Sequence, residues 1–191
     1  MGNTLLKLPT KTKKMEFNRA EEIPDIIIIK PDVFSDERGH FFESFKENEL
    51  NAFLGSDVNF CQDNESKSSY GVLRGLHYQE APFAQAKLVR VIQGSVLDVA
   101  VDIRKDSPTF NKHVAVELND KNKKQLFIPK GFAHGFLVLS EIAVFSYKVD
   151  NYYNKNFERV IAFNDPALNI NWKIKMSDVK ISLKDNKLPF L

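Results

Sequence analysis

From Ile26 to Phe163 the chain is cut into short runs of β-branched and aromatic residues, separated by turn signals about every eight to twelve residues. This rhythm constrains the fold more than any other feature. Alternate residues of a strand share a face, so runs this short must pair into sheets with one face turned to a core. Ile26–Lys30 is a continuous β-branched run stopped by Pro31. His40–Phe45, Val58–Asn64 and Val72–Gln79 follow as strands, with Glu65–Gly71 read as a polar turn. Lys87–Ile92 and Ser95–Ile103 flank Gln93-Gly94, a hairpin signal. Further strands are expected at His113–Leu118, Leu126–Pro129, Gly135–Leu139, Ala143–Val149 and Val160–Phe163. Only Lys46–Leu54 reads as a helix, with Leu50, Phe53 and Leu54 on one face and Gly55 at its end. No strand–helix–strand spacing occurs, so a doubly wound parallel sheet is not expected. The pattern predicts an all-β sandwich or barrel.

A chain of 191 residues, 43% hydrophobic, suits one domain with an ample core. Its net charge of +2 is unevenly spread, because Met1–Lys14 holds four lysines and no acid. The rest is slightly acidic, so the basic balance does not argue for nucleic acid, and no Arg/Lys stripe with interleaved aromatics appears. We expect residues 1–15 to be a basic, disordered extension, ahead of a single domain at 16–191. Cys61 is the only cysteine, which rules out an internal disulfide and a cysteine-based zinc site. No run approaches the length of a membrane span, and the first fifteen residues lack a signal peptide's apolar region. A cytoplasmic protein without a membrane partner is expected.

Two stretches carry candidate chemistry. In Val72–Gln79, His77 and Gln79 alternate onto one face, and Gly75 is expected to leave open space beside His77. Arg74 would point the other way unless a bulge at Gly75 re-aims it. The second stretch is Pro129-Lys-Gly-Phe-Ala-His-Gly135, where a tight turn precedes His134. His77 alone could equally be a satisfied core residue, but two histidines at turn-linked strand ends are more suggestive than one. A metal site needs three or four ligands, and the pattern around His77 is His-x-Gln, so no metal is expected. The metal-free reading uses a neutral His as general base, which needs an orienting partner and a group to stabilise developing charge. Lys87 is a candidate for the latter and Tyr152-Tyr153 for a phenolic acid. Their plainer readings are a solvated strand-edge lysine and aromatic packing.

These residues lie in stretches that resemble the dTDP-4-dehydrorhamnose 3,5-epimerases, the RmlC-type family of cupins. The matching stretches are Glu37–Glu43, Gln62–Ser66, Leu73–Gln79, Gln85–Val89, Pro129–Phe136, Tyr152-Tyr153, Asn164–Pro166 and Ser182–Asp185. They run in the family's order over nearly all of Glu16–Pro189. The resemblance implies a cupin-type jelly roll with a few short helices, a homodimer, and a nucleotide-sugar substrate. It implies inversion at C3 and C5 of a 4-keto-6-deoxy sugar without metal or organic cofactor. Carried over, His77 is the base, Asp185 its orienting carboxylate, Lys87 the enolate stabiliser and Tyr153 the acid on the other ring face. Arg74 and His134 line the sugar and phosphate region. Arg38, Glu43, Gln62, Asn64 and Glu158 fall at nucleotide- or sugar-binding positions. The residue types suit the reaction, since protons beside a carbonyl are acidified by delocalisation of the enolate onto oxygen. The competing readings are a single-centre epimerase, a 3,4-ketoisomerase on the same scaffold, and a cupin that only binds sugar.

Overall fold

In the computed structural model, which describes residues 15–182, the short runs pair into two facing antiparallel sheets. The six-stranded sheet is ordered β1 (Glu16–Arg19), β2 (Ile27–Lys30), β10 (Gln125–Ile128), β7 (Lys87–Gln93), β12 (Ile142–Val149), β5 (Gln62–Ser69). The five-stranded sheet is ordered β13 (Glu158–Val160), β6 (Leu73–Gln79), β11 (Phe132–Val138), β8 (Ser95–Asp102), β9 (His113–Asn119). A hairpin of β3 (Phe34–Asp36) and β4 (Gly39–Phe41) stands apart from both, and α1 (Glu47–Leu54) is the one α-helix among the described residues. Of the extension expected at residues 1–15, all but Met15 lies outside the described residues, as does Asp185.

Alternation distributes the apolar strand residues among three layers. Between the sheets lie Val89 and Val91 of β7, Val96 and Ala100 of β8, Phe132 and Phe136 of β11, and Phe145 of β12. The other faces of β8 and β11 carry Leu97, Val99, Val101, Ala133 and Leu137, which the C-terminal segment covers with Phe163, Leu168 and Trp172. The outer face of the six-stranded sheet packs Ile27, Ile29 and Leu88 against Leu50 of α1. Each fully buried Leu, Ile or Phe contributes about 1.5–3 kcal/mol, so these layers hold the sheets in register.

The structure departs from the sequence reading at several elements. Residues 65–69 are strand, because β5 pairs with β12 along its whole length, from Gln62↔Val149 to Ser69↔Ile142. The expected strand His40–Phe45 shortens to Gly39–Phe41 and turns back on β3. The last strand falls at Glu158–Val160 instead of Val160–Phe163, pairing with β6. Gly75 does not leave open space. A Cβ there would stand 2.5 Å from Gly135 Cα, so the two glycines let β6 and β11 meet backbone to backbone.

Candidate active site

Where the inward positions of the two sheets turn from apolar to polar, a cavity of about 660 Å3 opens between them. The five-stranded sheet lends it Arg74 and His77 from β6, His134 from β11 and Glu158 from β13. Across from these stand Lys87 from β7, Tyr147 from β12 and Asn64 from β5. Tyr153, in the segment after β12, forms part of the rim and is 54% exposed.

Register explains why these side chains meet. His134 pairs with His77, and two residues further on Phe136 pairs with Arg74, so three steps of β6 match two of β11. This bulge brings Arg74 and His77 onto the same side, as the sequence left open. Gly75 sits in it at φ +137, a conformation other residues rarely adopt. On β5, Gln62, Asn64, Ser66 and Ser68 alternate inward opposite Val149, Tyr147, Phe145 and Ala143. Gln62 Nε2 donates to Asn64 Oδ1 at 2.7 Å, and Arg74 Nε donates to Ser68 Oγ at 3.1 Å. Arg74 is thereby held over the cavity by the edge strand of the other sheet.

The electrostatics suit proton transfer. Lys87 Nζ lies 3.5 Å from the main-chain oxygen of His77. Loss of hydration pushes the Lys87 ammonium down to about 8, against the charges of Asp98 and Glu158, which favour it. Burial likewise lowers His134, while the adjoining Asp98 carboxylate works in the other direction. Burial raises the Tyr147 phenol, with Arg74 opposing, so the hydroxyl keeps its proton at neutral pH. Tyr153 Oη donates to Glu158 Oε2 at 2.9 Å.

Of the residues singled out from sequence, the cavity gathers Asn64, Arg74, His77, Lys87, His134, Tyr153 and Glu158. Gln62 touches it through Asn64. Arg38 and Glu43 do not line it. Arg38, beyond β3, is bound to Asp36, and Glu43 pairs with Lys46 at 2.8 Å. Asp185 lies outside the described residues. The sequence reading missed Tyr147, although its position two residues beyond Phe145 in an alternating strand was a usable signal. It also passed over Asp98, a lone acid between Val96 and Ala100 on the inward face of β8. Among the described residues, no group of three or more His, Cys, Asp or Glu is placed to hold a metal ion.

Comparison with known proteins identifies the family. A family model described as dTDP-4-dehydrorhamnose 3,5-epimerase matches residues 20–191. A protein of that name from Shigella flexneri is 57% identical over 154 residues, covering 81% of this chain and 85% of its own length. The crystal structure of a dTDP-4-dehydrorhamnose 3,5-epimerase from Elizabethkingia anophelis matches with a TM-score of 0.89 at 51% identity, covering 93% of this chain and 97% of that one. An epimerase from Legionella pneumophila, solved with dTDP-4-keto-L-rhamnose, matches with a TM-score of 0.85 at 48% identity, covering 90% and 89%.

Proposed function

The chain belongs to the dTDP-4-dehydrorhamnose 3,5-epimerase family, and on that premise we propose how its own residues invert C3 and C5 of dTDP-4-dehydro-6-deoxy-D-glucose. It is a cupin jelly-roll isomerase, and its product is dTDP-4-dehydro-L-rhamnose. The observation that carries the mechanism is the convergence of His77, Lys87 and Tyr147 on one cavity from two opposed sheets.

His77 removes the proton beside the C4 carbonyl. The electron pair of the broken C–H bond moves into the ring, and the negative charge settles on the C4 oxygen as an enolate. The Lys87 ammonium stabilises that charge most strongly as it develops, which is what lowers the barrier. Inversion then needs a proton from the opposite face. Tyr147 projects from the sheet facing His77, and burial keeps its hydroxyl protonated, so we assign the returning proton to Tyr147. This revises the expectation for Tyr153. Its hydroxyl is engaged by Glu158, and its exposed ring at the rim suits stacking against the nucleobase. Arg74, fixed by Ser68, suits a substrate phosphate. Asp185 remains the proposed orienting carboxylate of His77.

A homodimer is the proposed working state. The β3–β4 hairpin presents Phe34 and Phe41 at 43% and 66% exposure, side by side in register. A second copy bringing this hairpin to the cavity mouth would also carry Arg38 and Glu43 to the substrate.

The decisive experiment is proton NMR of the keto sugar with enzyme in deuterated water. Exchange and inversion at both C3 and C5 are expected. Exchange at C3 alone would make this a single-centre epimerase, and no exchange would leave only sugar binding. Migration of the carbonyl to C3 would make it a ketoisomerase.

A further inference from the structure

Behind the cavity, on the inward face of β8, sits Asp98, with no exposed surface at all. A charge in such a place is costly unless it is paired. Its partner is His134, 7% exposed, whose Nε2 lies 3.0 Å and 3.1 Å from the two carboxylate oxygens. A carboxylate can only accept, so Nε2 carries the proton and Nδ1 of the neutral ring is left as an acceptor. The His134 ring is further fixed by stacking on Phe145 at 6.2 Å. Asp98 itself does not line the cavity, whereas His134 and Lys87 both do.

We propose that Asp98 is a positioning residue of the epimerisation. It locks His134 in the tautomer that accepts a sugar hydroxyl, and it supplies the fixed counter-charge that keeps Lys87 an ammonium beside the developing enolate. The inference rests on the epimerase reading of the site. The two tasks belong together, because a neutral acceptor at His134 adds no positive charge next to Lys87, while Asp98 adds the negative charge Lys87 needs. The Coulomb effects follow this logic. Asp98 favours the charged form of Lys87, and the presence of Lys87 disfavours a proton on His134.

Other charges face Lys87 from the strands around it. Glu158 of β13 also favours the ammonium. His77 and Arg74 of β6, His134 of β11, Tyr147 of β12, Glu65 of β5 and Tyr153 line the same cavity. None of these carboxylates is as enclosed as Asp98, which is shut off from bulk solvent and so is screened least.

Asp98→Asn tests the idea, because the amide keeps the size and removes the charge. With the fold verified by circular dichroism and melting temperature, kcat is expected to fall at least tenfold. The alkaline limb of kcat/KM is expected to move down by about one pH unit or more, since Lys87 then loses its proton earlier. A purely structural role would not move that limb. A folded Asp98→Asn enzyme with unchanged kcat and an unchanged limb would overturn the proposal. A second measurement needs no variant of Asp98. Long-range proton–nitrogen correlation on the histidine-labelled wild-type protein reads the ring tautomers, with His134 identified by the signal lost in His134→Gln. A proton on Nε2 is expected, and one on Nδ1 of the neutral ring would overturn the proposal even if Asp98→Asn fails to fold. A wild-type protein that exchanges no sugar protons would instead refute the epimerase reading, and the tautomer result would still stand apart from it.

Discussion

The hydroxyls of Tyr147 and Tyr153 differ in what holds them. The first is enclosed among Phe145 and the cavity wall, and the second is bound to Glu158 at an open rim. Tyr147→Phe should therefore let solvent deuterium enter the sugar while net inversion falls by about 10²–10⁴. Tyr153→Phe should cost much less in kcat and act chiefly through KM. Parallel exchange and inversion assays separate the two effects, and the opposite ranking would return the acid to Tyr153. Lys87 gives a prediction in pH. Its folded value is pushed down to about 8, so the functional ammonium is present below that and lost as pH rises through it. An alkaline fall in kcat/KM near pH 8 is expected. In Lys87→Arg the guanidinium stays charged, so this limb should flatten at a lower overall rate. At this scale the sequence was informative about His77, Lys87, Arg74 and His134, because motif and spacing name residues directly. It directed attention away from Tyr147, the acid proposed here, because adjacent tyrosines draw the eye while Tyr147 looks like one more aromatic in an alternating strand.

At the scale of elements, β5 shows why a strand can hide. Its alternate residues Asp63, Glu65 and Lys67 are exposed, and on its inward face Asn64 and Ser66 line the cavity while Ser68 holds Arg74, so a polar site stands where a core would be. With both faces polar, apolar alternation has nothing to report, and the sequence pattern ends the strand at Asn64 and places a turn from Glu65. Strands with at least one apolar face, such as β8 and β12, are legible nearly to their ends. The contact of β6 with β11 was invisible for another reason, since it depends on two residues that have no side chain. A Cβ on Gly135 would lie 2.7 Å from Arg74 O and 2.9 Å from Gly75 Cα. Gly135→Ala should destabilise the protein by about 1–3 kcal/mol, as overpacked sites do. Because the bulge aims Arg74 and His77 together, activity should fall further than the loss of folded protein explains. Thermal melting and assays normalised to folded protein would check this, and an unchanged melting temperature would refute it.

Across the whole molecule, three apolar layers hold two sheets whose outermost strands still have bonding edges. The hairpin bearing Phe34 and Phe41 adds exposed aromatic surface. Sedimentation at micromolar concentration should give about twice the chain mass of 21.9 kDa. Paired substitution of Phe34 and Phe41 by serine should shift the distribution towards single chains, whereas a fully active monomer would exclude the dimer as the working state. The all-β class was readable from the beginning because it follows from run length and turn spacing. The pairing order of strands was not, since neighbours such as β5 and β12 are far apart in the chain. One consequence follows from where β5 lies. It is bonded on a single side, to β12, and contributes no residue to any apolar layer. The groups proposed to move protons, His77 and Tyr147, stand on interior strands, whereas β5 lends the cavity Asn64, Glu65 and Ser66 from its margin. Descendants of such a chain can therefore revise which nucleotide sugar they accept by rewriting one border strand, leaving both the packing and the reaction as inherited.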